Sequence, residues 1–203
     1  MNPHCIYKAL LHFSSFLALI LLKSSHALVE LGKPNRIIIS PSVAKANFLA
    51  LGADLEAAVQ GGAEWLHFSI QDGRMVPKIS FGAPVVAACR QQFPSVVFDV
   101  KLGCVEPEHR IEEFAKAGAD VLSVHPESTL QLAAVIQKIQ DFGIAPGVVL
   151  NPGTSIHTVE HVLDHCKVAV VMLVRFRSFR LLELLRLIAS KLICSIYPVS
   201  LCP

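Results

Sequence analysis

From Arg36 onward, apolar and polar positions follow one recurring pattern: a short apolar run, a turn, an amphipathic stretch and a glycine. "RIIIS" at 36–40 reads as a buried strand. "NFLALGADLEAAVQGG" reads as a helix, with Leu51, Leu55, Ala58 and Val59 at helical spacing and a stop at Gly61-Gly62. "EWLHFSI", "VVFDVKL", "DVLSVH", "PGVVL" and "VAVVMLV" read as further strands. "APVVAACRQQF", "PEHRIEEFAKAG", "TLQLAAVIQKIQDFG" and "TSIHTVEHVLDHC" read as helices between them. Pro107 fits a first helical position, and Gly118 and Gly143 fit helix ends.

The strand-like runs begin near residues 37, 66, 97, 121, 147 and 168. Alternating strands and helices imply an α/β fold with a parallel sheet. No G-x-G-x-x-G follows the first run, which weakens a dinucleotide-binding open sheet. Period-two alternation instead brings polar groups to strand ends: His67, Ser69 and Gln71 on one run, Asp99, Lys101 and Gly103 on the next. A (β/α) barrel of the TIM type uses strand ends in this way. About six of its eight units are present, so the expected barrel is incomplete.

Two flanks break the rhythm. Residues 1–35 form a leader, in which Lys8 precedes an apolar stretch from Ala9 to Leu22, followed by small residues at Ser25 and Ala27. The stretch is shorter than the about 20 residues a membrane span needs. It reads either as a secretory signal or as an unusual leader on a cytosolic protein. Residues 175–203 form a basic, leucine-rich, helix-like tail with Arg175, Arg177, Arg180, Arg186 and Lys191 against Glu183. It reads either as a membrane-surface or partner-binding helix or as a replaced C-terminus, such as a truncated splice product would carry. Residues 36–174 are the expected barrel domain.

Composition adds little chemistry. The 203-residue chain is 53% hydrophobic with a formal charge of +2, which gives no reason to expect a nucleic-acid partner. Cys5, Cys89, Cys104, Cys166, Cys194 and Cys202 are scattered and read as thiols rather than a disulfide framework. His157, His161 and His165 fall at i, i+4, i+8, a spacing able to bind zinc, but the apolar face lies opposite and favours a solvated reading. His125 either lines a pocket or packs below it. Asp72 with Gly73 reads as a turn.

"SPS" (Ser40 to Ser42), "LHFSIQDGRMVP", "FDVKLGCVEPEHRIEEFAKAGADVLSVH" and "GVVLNPGT" together resemble the ribulose-phosphate 3-epimerase family over Ile37 to Val174. The resemblance implies a (β/α)8 barrel of the ribulose-phosphate-binding kind. It implies interconversion of D-ribulose 5-phosphate and D-xylulose 5-phosphate by proton transfer at carbon 3. It also implies one divalent metal (zinc, iron or manganese), homo-oligomers, and a cytoplasmic or plastid location. In the family a histidine and an aspartate on the second strand, a histidine on the third and an aspartate on the seventh hold the metal. The two aspartates are the acid–base pair.

Carried over residue by residue, His67 matches the first histidine and is the one metal ligand retained. Ser69 stands in the slot of the aspartate base. Lys101 stands in the slot of the second histidine, and Gly103 replaces a methionine. Ser42 matches a substrate-contacting serine. The seventh-strand aspartate and the glycine-rich phosphate loop have no counterpart. Activity is therefore expected to be impaired, because losing one general base typically costs about 10²–10⁴ in rate. The alternative is a non-catalytic sugar-phosphate-binding protein or partner subunit. Lys101 either substitutes for the metal as a fixed cation or merely neutralises Asp99 or Asp72. Asp99-Val100-Lys101 also resembles the D-x-K start of the D-x-K-x-x-D motif of related phosphate-sugar decarboxylases, with Cys104 at the motif's last position.

Overall fold

The computed structural model describes residues 38–173 and 193–198. The leader at 1–35, Arg36 and Ile37 of the first run, Val174, and the tail at 175–192 and 199–203 lie outside the described residues. Six strands form one sheet: β1 (Trp65–Gln71), β2 (Val97–Gly103), β3 (Val121–Val124), β4 (Ala145–Leu150), β5 (Val168–Leu173) and β6 (Ile193–Pro198). Every neighbouring pair is parallel, and spatial order equals chain order. An open doubly wound sheet reverses its order at a switch point. This one never reverses, which is how a barrel wall is laid down.

Among the described residues, four α-helices cross over between strands or precede them: α1 (Leu51–Gln60), α2 (Ala83–Gln92), α3 (Ile111–Lys116) and α4 (Leu132–Asp141). Gly118 and Gly143 follow α3 and α4 with φ of 93° and 73°, a left-handed conformation that lets each chain leave its helix without a Cβ penalty. α3 is shorter than its amphipathic stretch, because Glu106 turns left-handed at φ 54° and Pro107–His109 tightens into a 3-10 turn.

Three sequence expectations need correction. The described part of the first run, Ile38 to Ser40, is not a strand. Ile38 to Ser42 lies beside β1, with Ile39 O accepting from Trp65 N (3.3 Å) and Pro41 O from His67 N (2.9 Å). Among the described residues its one bridge is Ser42 to His67. Pro41 has no N–H to donate back, so a two-way ladder fails there. The stretch from Ile156 to His165 folds as two 3-10 turns (Ile156–Thr158 and Glu160–His165) rather than an α-helix. The tail is not helix-like at 193–198. That segment is β6, paired along β5 from Val168↔Ile193 to Leu173↔Pro198. Among the described residues no helix is long and apolar enough to cross a membrane.

The two faces of the sheet differ in kind. One face carries Leu66, Phe68, Phe98, Val100, Leu122 and Val148, which pack with Val86, Ile111, Phe114 and Ile136 of the helices into a single apolar core. Phe68 and Phe98 meet with ring centroids 4.6 Å apart. The other face is buried yet polar: His67, Ser69, Asp99, Lys101, Ser123 and His125 are all at most 9% exposed. Burying unpaired polar groups costs stability, so such a lining needs partners or a purpose.

The opposite end of the wall is tied by Arg90. Its guanidinium donates to Gly118 O (3.0 and 2.7 Å), Val96 O (2.7 Å) and Phe93 O (3.1 Å), and pairs with Asp120 at 2.5 Å. It also lies 3.6 Å over the Phe98 ring. Asp120 in turn accepts from Phe98 N at 2.7 Å.

Candidate functional site

Parallel register places the polar side chains in rows. His67 is opposite Asp99, Ser69 opposite Lys101, Lys101 opposite Ser123, and Ser123 opposite Gly147. Because side chains alternate along a strand, these positions share the face turned away from the helices. His67 and Asp99 are 2% and 0% exposed and meet at 2.8 Å between Nδ1 and Oδ2. With Nδ1 carrying the proton toward the carboxylate, Nε2 keeps its lone pair. That tautomer is inferred from the contact.

Lys101 is 6% exposed. Its ammonium points at the Met172 thioether, 3.7 Å away, a weak acceptor. Burial pulls the amine below its ordinary value, while the Asp99 charge pulls the other way and is the weaker influence. Of the two carboxylates that Lys101 could neutralise, Asp99 is the one whose charge acts on it. Asp72 is engaged elsewhere: its Oδ1 accepts from Arg74 N and Met75 N, and its Oδ2 from Val105 N at 2.8 Å. Burial would raise the Asp72 carboxyl, but the N–H donors of Val105, Arg74 and Met75 outweigh it and hold it low. Asp72 is a turn residue that also ties the exit of β1 to the exit of β2.

His125 follows β3 and is 4% exposed. Glu127 lies 3.9 Å from its Nδ1, beyond hydrogen-bond reach. Burial first, then the Lys101 charge, push the imidazole down to about 4, against the opposing pull of Glu127. The unfolded side chain takes up a proton near its ordinary 6.5 and the folded one only near 4. Stability from this group is therefore complete above the unfolded value and is lost as pH falls from there toward the folded one. The loss approaches about 3 kcal/mol. Urea unfolding followed between about pH 7.5 and pH 4.5 checks this. His125→Phe should flatten the slope, and an equal slope in both proteins would refute it.

Sequence reasoning missed Ser123 and Met172. Ser123 is fully buried, and among the described residues its Oγ and His125 Nδ1 have no hydrogen-bond partner. The period-two rule that singled out His67 and Ser69 would have found Ser123 in "DVLSVH", one position either side of Leu122 and Val124. Ser42 is half-buried beside His67. Cys104 does not replace the acid of the D-x-K-x-x-D pattern: burial, then Asp72, push its thiol up to about 11. His157, His161 and His165 are exposed, and the 3-10 turns take them off a common face. His157 pairs with Glu160 at 3.0 Å.

The donor set does not suit a divalent metal. Among the described residues no group of three or more His, Cys, Asp or Glu side chains is placed to hold one. In the row beside His67, a serine hydroxyl and an ammonium stand where a carboxylate and an imidazole would be needed. While protonated, Lys101 has no lone pair to give.

Comparison with known proteins gives a consistent picture. Solved structures of low identity share the fold. KGPDC from Streptococcus mutans has a TM-score of 0.60 at 16% identity, covering 78% of this chain and 75% of that one. A second structure of that protein, a ligand complex, has a TM-score of 0.61 at 15% identity, covering 79% and 78%. The tryptophan synthase alpha subunit of Legionella pneumophila reaches 0.58 at 14% identity, covering 87% and 76%. Among curated relatives, the chloroplastic ribulose-5-phosphate-3-epimerase of Arabidopsis thaliana is 44% identical over 138 residues, covering 67% of this chain and 49% of its own. The ribulose-phosphate 3-epimerase of Bacillus subtilis is 41% identical, covering 68% and 63%. The chain thus spans about half to under two thirds of these relatives. The family model described as ribulose-phosphate 3 epimerase matches residues 38–176. With that match, on a parallel (β/α) barrel wall of TIM type, the chain belongs to the ribulose-phosphate 3-epimerase family.

Proposed function

We propose that this protein acts on D-ribulose 5-phosphate and exchanges its carbon 3 proton, the half-reaction of epimerisation to D-xylulose 5-phosphate, at a reduced rate. The observation that carries the reading is the buried polar row on the family's own strands: His67 with Asp99, then Ser69 beside Lys101. Removing a proton beside a ketone needs a base and an electrophile for the enediolate oxygen. Lys101 supplies a positive charge at the place of the family's second histidine. Ser42 and His67 contact the sugar, and the hydroxyl of Ser123, in register with Lys101, is an unused partner. Ser69, in the base's slot, is too weak an acid or base at neutral pH for the carboxylate's work, so the carbon 3 proton passes to the Nε2 lone pair of His67 or to water, which accounts for the slow rate.

Zinc, iron or manganese is the family expectation, yet His67 is the one matching donor, so no step is assigned to a metal. The leader at 1–35, barrel at 36–174 and tail at 175–203 stand as our division of the chain, with β6 joining the barrel wall. A plastid or cytoplasmic site is proposed from the relatives, and a homo-oligomer from the family.

Deuterium exchange at carbon 3 of ribulose 5-phosphate, followed by NMR, tests the reading. Slow exchange, unchanged by added zinc, iron or manganese and about 10²–10⁴ below an intact relative, is expected. Binding without any exchange would favour the second reading, a non-catalytic sugar-phosphate-binding or partner subunit. The observation favouring that reading is the serine at position 69.

A further inference from the structure

The buried position of Lys101 is unusual among the described lysines. Lys116 lies on the surface with 74% of its side chain exposed, paired to Glu112 at 2.6 Å. Lys101 is buried at a strand's C-terminal half and faces a thioether. The buried Asp99 carboxylate, two positions back on the same face, acts on it by charge, but burial is the larger influence. Hydroxyls flank Lys101 on both neighbouring strands, Ser69 on β1 and Ser123 on β3. A buried lysine held at a thioether, where desolvation outweighs the nearby Asp99 charge, is suited to attack a carbonyl, because desolvation favours its neutral form.

We propose that Lys101 forms a covalent imine with the ketone of its sugar-phosphate substrate. The inference rests on the sugar-phosphate reading above and deepens it. In the step, the Nζ lone pair attacks the carbon 2 carbonyl and the C=O pair moves onto oxygen. A nitrogen proton passes to that oxygen, giving a carbinolamine. The oxygen leaves as water after a second proton transfer, and nitrogen and carbon are joined by a double bond. Ser69 and Ser123 are placed to relay these protons. No oxidant or further reactant is consumed. Once protonated, the iminium withdraws electrons from the carbon 3 C–H bond, the task that a metal cation performs on a ketone oxygen. Burial lowers the proton affinity of Lys101 and so raises its neutral fraction at neutral pH.

Reductive trapping tests the proposal on the full chain. The protein is incubated with sodium cyanoborohydride and either D-ribulose 5-phosphate or dihydroxyacetone, then mapped by peptide mass spectrometry. Lys101 should be modified about tenfold faster than exposed Lys116 or more, because a larger share of its amine is neutral. Labelling confined to exposed lysines overturns it. Lys101→Arg separates charge from nucleophilicity: it should abolish trapping and exchange together. Exchange that survives in Lys101→Arg would overturn the covalent role and leave a purely electrostatic one. Lys101→Met, which matches its thioether neighbour, should also lose the adduct with an unchanged circular dichroism spectrum. If either variant misfolds, the wild-type peptide map still decides. The dihydroxyacetone arm keeps the two readings apart. An adduct on Lys101 from dihydroxyacetone with no exchange on ribulose 5-phosphate leaves the imine standing and removes the epimerase reading. Exchange without any adduct does the reverse.

Discussion

Ser69→Asp combined with Lys101→His is expected to create a zinc site and to raise carbon 3 exchange by about 10²-fold or more, in a metal-dependent way. The two positions are register partners on adjacent strands, and His67 precedes Ser69 on the same face. Asp99 already holds His67 at Nδ1, which leaves Nε2 for a metal, the arrangement by which outer-shell carboxylates orient ligating histidines. The double variant thus brings imidazole, carboxylate and imidazole together on one buried face. The single changes should fail. Aspartate at 69 alone meets the Lys101 ammonium and forms an ion pair, while histidine at 101 alone gives two imidazoles and no base. Zinc binding by calorimetry, alongside exchange with and without zinc, reads the effect. A folded double variant that takes up no more zinc than the wild type would remove the idea that these two positions are a rewritten metal site.

Arg90→Ala is expected to cost about 3 kcal/mol of stability. It strips donors from the carbonyls of Phe93, Val96 and Gly118 at once and leaves the Asp120 carboxylate without its cation. It also uncovers the Phe98 ring. The pair is only partly buried, at 21% and 30% side-chain exposure, so the carbonyls matter more than the charge. Lys at this position should recover little, since a point charge does not reproduce the guanidinium fork. Urea denaturation of the two variants against wild type gives the numbers. A loss below about 1 kcal/mol for alanine would show that the carbonyls find water instead.

Five of the six strands that the structure forms were legible as short apolar runs, because the helix side of the sheet needs them apolar at every other position. The failures have local causes. "RIIIS" is as apolar as any strand, but Pro41 has no N–H to return to β1, so the one bridge falls beyond the run, at Ser42. "TSIHTVEHVLDHC" carries a helical pattern, yet Val159, Val162 and Leu163 are buried from 3-10 turns, whose three-residue period serves the same positions. In the tail, the leucine pattern masked "ICSIYP", a run short enough for a strand. Of the site, His67, Ser69 and Lys101 were visible through alternation and resemblance. The His67–Asp99 contact was not, because pairing across strands depends on register, which a single sequence leaves open. The Met172 contact was further out of reach, since it joins residues on strands that are not neighbours.

The pairing of Ser123 with Gly147 constrains how this lining can change over evolutionary time. A Cβ at Gly147 would collide with Ser123 Oγ and press on Ser123 Cβ and Val168 O, each at 3.1 Å. Ser123 Oγ is the part that must move or leave first. Alanine at 147 is therefore accommodated more easily once Ser123 has lost its hydroxyl, as in Ser123→Ala, and is crowded when it comes first. The hydroxyl at 123 is thereby shielded from one route of loss: the neighbour that could most easily crowd it out is held small by the hydroxyl itself.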